Sequence, residues 1–223
     1  MAGAQPLTCA VPSQIERPRP DTPNARQPRR VVTTASYTLA LSWSPQYCRA
    51  RGEGGFQCSA RVSGGNRFGF ILHGLWPDGA GRDWPQYCRP VALLSDATIR
   101  ANLCATPSVQ LLQHEWAKHG SCMTGSAEDY FRRATGLFAQ IRYPNMDALS
   151  RRGGLTVGAF TAALARTNPG LSPDMMRVAT TRGGWLDEVK LCLDLNFRYA
   201  RCSRGQGGGA PATARLKIWR DER

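Results

Sequence analysis

The sequence predicts an α+β fold: a central antiparallel β-sheet with several helices packed on it, stapled by disulfides. Short alternating apolar runs read as strands and longer runs of 3.6 periodicity read as helices. The two kinds are segregated, with no βαβ rhythm and no internal repeat, which argues against a doubly wound parallel sheet. The eight cysteines, Cys9, Cys48, Cys58, Cys88, Cys104, Cys122, Cys192 and Cys202, are even in number and scattered. No pair has the C-x₂-C spacing of a zinc knuckle or redox motif, so four disulfides made in an oxidising compartment are expected. Spacing alone leaves 105 pairings open. At 223 residues the chain is long enough for one domain with a real core.

Residues 1–35 carry Pro6, Pro12, Pro18, Pro20, Pro23 and Pro28 with five arginines. Prolines at this density exclude helix and sheet interior and predict an extended arm, tied to the body through Cys9. Residues 36–223 then form a single domain. Ser36–Trp43 alternates as a strand, with Tyr37, Leu39, Leu41 and Trp43 on one face and Pro45 as its stop. Cys48 to Cys58 reads as a stapled loop. Phe68–Leu72 is a second buried strand that delivers His73 at its end, where Gly74 lets the backbone turn. Gly79–Asp83 is loop.

A short helix is predicted over Asp96–Leu103, capped by Ser95 or Asp96. From Ser108, Val109, Leu112, Trp116 and Ala117 follow helical spacing, with Gly120 as the residue that ends the helix. Ala127–Tyr143 is amphipathic, with Tyr130, Phe131, Ala134, Leu137, Phe138 and Ile141 inward and Pro144 as the terminator. Thr156–Arg166 carries Val157, Phe160, Ala163 and Leu164. Asp187–Phe197 alternates as a strand, with Val189, Leu191, Leu193 and Leu195 on one side and Lys190, Cys192, Asp194 and Asn196 on the other. Gln206–Ala212 is a flexible turn region, and Leu216–Trp219 a last short strand.

Formal net charge is +13 and the pI about 10, which makes a polyanionic partner plausible. Lysine occurs only at Lys118, Lys190 and Lys217, so arginine supplies almost all of this charge. No apolar run is long enough to cross a membrane. No secretory h-region precedes residue 10; if the cysteines mean export, a signal peptide is absent from this sequence.

Only three histidines occur, and two lie in His114-Glu115-Trp116-Ala117-Lys118-His119-Gly120-Ser121-Cys122. The third, His73, lies in Phe70-Ile71-Leu72-His73-Gly74-Leu75-Trp76-Pro77-Asp78. On a helix, His114, Glu115, Lys118 and His119 fall at about 0°, 100°, 40° and 140°. That face holds an acid, a base and cations, a set suited to a phosphodiester. A zinc peptidase helix needs histidines at i and i+4. Here they are at i and i+5, the second ring is turned away, and Lys118 would repel a dication, so no metal and no cofactor are expected.

The segments Phe70–Pro77 and His114–Cys122 resemble the two active-site segments of the ribonuclease T2 family. The resemblance extends to Leu39-Ala40-Leu41-Ser42-Trp43-Ser44-Pro45-Gln46-Tyr47-Cys48 and to the cysteine-bearing strand near 188–202, but not to the arm. It implies an α+β fold and metal-free cleavage of single-stranded RNA, in which the ribose 2′-OH attacks its own phosphate to leave a 2′,3′-cyclic end. His119 would be the general base, His73 the acid, His114 the phosphate holder, with Lys118 and Glu115 supporting the transition state. Trp76 would stack on the base whose 2′-OH attacks, Asp78 would accept from an adenine 6-amino group, and Trp84 would add a second wall. Leu41 and Leu111 stand where the following base would sit. Low base specificity with a mild purine preference is expected.

The resemblance also suggests Cys48–Cys58, Cys88–Cys122 and Cys192–Cys202, and elimination then leaves Cys9 with Cys104. A secreted or periplasmic monomer acting on RNA, without membrane contact, is the expectation. The alternatives are a catalytically idle RNA- or polyanion-binding protein on the same fold, and a metallopeptidase, which chelator resistance would exclude.

Overall fold

The computed structural model describes residues 7–51, 55–61, 65–203 and 205–220. The first six residues of the predicted arm, Pro6 among them, and the last three of the chain lie outside these. Four strands form one sheet in the order β2-β1-β4-β3, with every neighbouring pair antiparallel. They are β1 (Thr34–Trp43), β2 (Phe70–Gly79), β3 (Met176–Thr180) and β4 (Leu186–Leu193). Among the described residues six α-helices accompany them: α1 (Ser44–Arg51), α2 (Asp96–Asn102), α3 (Val109–Lys118), α4 (Ala127–Gln140), α5 (Met146–Ser150) and α6 (Val157–Thr167).

The helices begin where side-chain caps satisfy the free N–H groups of the first turn. Ser95 accepts from Thr98 N, Ser108 from Leu111 N, Ser126 from Asp129 N and Thr156 from Ala159 N. Their apolar faces share one core with the sheet, in which Leu39, Leu41, Phe70 and Leu75 meet Leu112, Phe131, Phe160 and Leu164. Among the described residues no helix is long and apolar enough to cross a membrane.

Several elements differ from the sequence expectation. Pro45 does stop β1, but it does so in the first turn of α1, where its missing N–H costs nothing, so Cys48 sits on a helix rather than in a loop. The strand expected to end at Leu72 continues to Gly79. Pro77 is tolerated because β2 is a sheet edge. α4 stops at Gln140, ahead of Pro144, with Ile141 already extended. β4 ends at Leu193: Asp194 Oδ1 accepts from Asn196 N (2.8 Å) and Arg198 N (2.9 Å), a local turn that leaves Leu195 exposed. β3 and α5 were not foreseen. Leu216–Trp219 makes only an isolated bridge, Trp185 with Lys217, rather than a strand. The segment expected to be flexible is held: Ala210 N donates to Val178 O (2.8 Å), and Gln206 is buried.

The disulfides are Cys9–Cys104, Cys48–Cys58, Cys88–Cys122 and Cys192–Cys202. Cys88–Cys122 ties the segment after β2 to the 3₁₀ turn Gly120–Cys122 after α3, and so holds the two histidine-bearing elements together. Cys9–Cys104 straps the amino-terminal segment to the loop after α2.

Candidate active site

The site is organised by an irregularity in β2. Leu41 pairs with Leu72 and Ala40 with Gly74, so His73 is an extra residue in the ladder, a β-bulge. Side chains alternate along a strand, and one inserted residue reverses the parity of everything after it. Phe70 and Leu72 therefore share the core face with Leu75, while Trp76 and Asp78 turn to the opposite face. There they meet the small residues Thr38, Ala40 and Ser42 of β1, whose partners on β4 are Cys192, Lys190 and Glu188. His73 is thus aimed from within the strand, not released at its end.

His73 Nδ1 lies 2.6 Å from Glu188 Oε1 and 3.3 Å from Ser42 Oγ. Its Nε2 is 3.7 Å from Glu115 Oε1. Burial pulls the His73 pKa down, but the Glu188 hydrogen bond and the carboxylates of Glu115 and Glu188 outweigh burial and the opposing Lys190 cation. The net effect is to raise it above the ordinary value.

α3 contributes His114, Glu115 and Lys118 from its last turns. His119 caps it in a near-helical conformation and starts the 3₁₀ turn. Gly120 therefore does not end the helix by a left-handed backbone. Its role is close approach, because a Cβ there would lie 2.5 Å from Trp116 Cε3 and 2.8 Å from Tyr130 Cγ. The departure from the helix also alters the wheel geometry: the His114 and His119 ring centroids are 6.4 Å apart. Donor atoms of His114, Glu115 and His119 lie within 4.8 Å of one another. Spacing alone thus does not separate the two imidazoles, and what opposes a dication here is Lys118. The same cation joins burial in holding the His119 pKa well below its ordinary value, with His114 and His73 adding to it. His119 is 5% exposed, and its Nδ1 has no partner among the described residues.

Glu115 is the buried centre of the cluster. Its Oε2 accepts from Trp76 Nε1 (2.8 Å) across the backbone of Gly74, where a Cβ would lie 1.8 Å from that oxygen. Gly74 is thus required for space rather than for a turn. Burial raises the Glu115 pKa against the pull of His73, His114, the Trp76 hydrogen bond and Lys118. Lys118 is half-buried, and desolvation lowers its pKa despite Glu115 and Asp21. His114 Nδ1 lies 2.7 Å from Asp21 Oδ2, a residue of the amino-terminal segment.

Trp76 stands between the two halves, with ring centroids 5.1 Å from His73 and 5.5 Å from His119, and Lys190 Nζ 5.2 Å from its own centroid. Asp78 is buried, and its Oδ2 accepts from Thr38 Oγ1 (2.7 Å) and Gln206 Nε2 (3.3 Å). Burial pushes its pKa up to about 6 against those two hydrogen bonds and Lys190. Trp84 is 40% exposed, donates to Gln86 Oε1 and lies under the Arg30 guanidinium. Leu111 is half-buried on α3. Leu41 is wholly buried in the core, so the base contact expected of it is not open to it.

Glu188, Ser42, Lys190 and Asp21 were not foreseen in the site. The alternation of β4 places Glu188 and Lys190 on one face, a signal legible in sequence. Their proximity to His73 depends on the β1–β4 register, which is not.

Residues 34–156, which include the bulge and α3, match the model of the ribonuclease T2 family. A probable ribonuclease of Haemophilus influenzae is 32% identical over 181 residues, covering 74% of this chain and 60% of that protein. A ribonuclease of Aeromonas hydrophila is 35% identical over 117 residues, covering 52% and 50%. The matches thus span about half to three-fifths of these relatives' length. Among solved structures, RNase NT in complex with 5′-AMP superposes with a TM-score of 0.63 at 22% identity over 84% of this chain and 98% of that one. Trichomaglin, described as a novel S-like ribonuclease, gives 0.63 at 19% over 83% and 98%. These two likenesses concern the fold. The family match takes in His73 on its bulge and all of the α3 cluster, and with it the chain belongs to the ribonuclease T2 family.

Proposed function

We propose that this protein is a metal-independent endoribonuclease that cleaves single-stranded RNA by transphosphorylation. The observation that carries the reading is the contrast between two histidines flanking Trp76. Burial and neighbouring cations keep His119 neutral, while Glu188 and Glu115 favour a proton on His73. A general base must start empty and a general acid must start loaded, and histidine can serve as either near neutral pH.

In this mechanism His119 takes the proton of the ribose 2′-OH as that oxygen attacks phosphorus. His73 gives its proton to the departing 5′-oxygen, leaving a 2′,3′-cyclic phosphate and a free 5′-OH. Hydrolysis of the cyclic phosphate runs the same exchange in reverse, with water in place of the leaving alcohol. His114 and Lys118 supply positive charge to the non-bridging oxygens. Glu115 fixes the Trp76 indole and faces both His73 and His114. No enzyme nucleophile is needed, because the substrate brings its own.

Trp76 offers an aromatic face for an unpaired base, with Asp78 on the same strand face as a reader of the adenine amino group. Asp78 already receives Thr38 and Gln206, so any preference it gives is mild. Trp84 and Leu111 remain candidates for further base contacts. Cleavage of poly(A) against poly(U) checks this, and a strong poly(U) preference would refute the role of Asp78. The four disulfides favour a secreted or periplasmic location, and we take the chain to act as a monomer with a 1–35 arm on a 36–223 domain. A catalytically idle RNA binder on this fold has no use for two imidazoles in opposite environments. His73→Ala or His119→Ala should lower kcat by about 10²–10⁴-fold, and activity near wild type in either variant would sink the mechanism.

A further inference from the structure

The amino-terminal arm runs into the active site. It is fixed near its start by Cys9–Cys104 and near its end by the bridge between Arg30 and Gln86. Between these points it lies along α3. Arg19 N donates to Gln110 Oε1 (2.9 Å) and Gln110 Nε2 donates back to Arg19 O (3.2 Å). Gln110 and His114 are four residues apart on α3 and so lie on the same face. The helix that holds Arg19 through Gln110 thereby presents His114 to Asp21.

Asp21 is held from both sides. Tyr87 Oη donates to its Oδ1 (2.8 Å), and Oδ2 lies 2.7 Å from His114 Nδ1. Tyr87 is buried, and its φ of 50° is a backbone conformation that a bulky residue rarely adopts. Tyr87 N donates to Lys118 O (2.8 Å), and the adjacent Cys88 is bonded to Cys122. The tyrosine that grips Asp21 is therefore itself locked to the end of the catalytic helix. Asp21 and Glu16 are the only acids among the five arginines of this arm. The side chain of Asp21 is 16% exposed, so its charge is spent on this contact rather than solvated.

We propose that Asp21 is a positioning residue: the arm completes the phosphate site by binding Nδ1–H of His114, which leaves Nε2 as the nitrogen that meets the substrate phosphate. A carboxylate that accepts Nδ1–H fixes the ring orientation, and the positive charge that His114 supplies leaves Nε2–H free to donate to the phosphate. Asp21 lies outside residues 34–156, the stretch that matches the family model. The inference rests on the ribonuclease reading for its kinetic consequence, but not for its geometry.

The test is a double-mutant cycle with a dinucleoside monophosphate, reading kcat and KM separately, together with thermal midpoints of each variant. Asp21→Ala should lower kcat/KM by about 10- to 100-fold in the wild-type background, the span of a charge-assisted hydrogen bond. In the His114→Ala background it should lower it by less than about twofold, since its target is gone. Equal losses in both backgrounds, or no loss in the first, would overturn the proposal. Nitrogen-15 spectra of the His114 ring give a readout independent of turnover. The Nδ1 signal should change in Asp21→Ala, and an unchanged ring spectrum contradicts the contact. A wild-type protein that cleaves no RNA would instead sink the ribonuclease reading and leave the spectroscopic test standing.

Discussion

Replacing Glu188 by Gln removes the charge that favours the His73 proton while keeping the shape of the side chain. The His73 Nδ1 to Glu188 Oε1 distance is 2.6 Å, with the Glu188 side chain 12% and the His73 side chain 33% exposed. A hydrogen bond between charged groups contributes roughly 1.5–3 kcal/mol, and exposure of a third of the imidazole argues for the lower end. About 1.5 kcal/mol is about tenfold in rate. Lys190, whose Nζ is 3.5 Å from Glu188 Oε2, would then oppose the His73 proton unbalanced. The sign follows from the acid role: His73 is competent below its folded pKa, which lies above the ordinary 6.5, and fails as pH rises through it. His119 is competent above its own, much lower pKa. The wild-type kcat/KM profile should thus be a bell whose plateau includes the region around pH 6.5. In Glu188→Gln the alkaline limb should move to lower pH, with about a tenfold loss on that side and little change on the acid limb. Initial rates on RNA from about pH 4.5 to about pH 9 at constant ionic strength measure this. An alkaline limb that stays in place would refute the coupling of Glu188 to the acid.

Further outcomes follow from the same geometry. Gly74→Ala drives a methyl group into the Glu115 carboxylate, 1.8 Å from Oε2, and should cost about 1–3 kcal/mol of stability as well as activity, read by thermal melts and RNA digestion. Glu115→Gln keeps an acceptor for Trp76 and should lower kcat by about 10²-fold with little change in melting, whereas Glu115→Ala should also lower the melting temperature because the indole N–H is left unpaired. Asp78→Asn tests a buried carboxyl whose folded pKa of about 6 exceeds the ordinary 3.8. The folded state retains a proton that the unfolded chain releases, so the wild type loses stability as pH rises from about 4 to about 6. The variant should lack that loss and melt higher at pH 7, by up to about 3 kcal/mol; identical melting curves at pH 5 and pH 7 in the wild type would contradict the burial effect.

The parts of this fold legible in sequence are those with local causes. Ser95 caps α2; α3, α4 and α6 begin at or within one residue of the expected Ser108, Ala127 and Thr156, and the apolar faces of α4 and α6 lie in the core. The continuation of β2 was hidden by Gly74, which reads as a turn, and Pro77 is a residue that strand interiors rarely hold. One makes room for a carboxylate from another element, and the other is admitted by an edge position that only topology reveals. The bulge at His73 is likewise a property of register between two strands. In the site, the residues of the two histidine segments could be named from their spelling. Glu188 and Asp21 could not, since they reach their histidines from 115 and 93 residues away in the chain. Glu188 sits beside Asp187 on a strand and Asp21 among the prolines of the arm, and only the fold gives them a partner.

Acid and base histidines that cleave RNA through its own 2′-OH need no metal, although donors of His114, Glu115 and His119 lie within 4.8 Å of one another. One digest of single-stranded RNA in excess EDTA, with product ends examined, tests this most directly. Undiminished cleavage that leaves 2′,3′-cyclic phosphate ends, with single-stranded DNA inert, is the predicted result. Loss of cleavage on chelation and its return with a divalent cation, or cleavage of DNA, would contradict it.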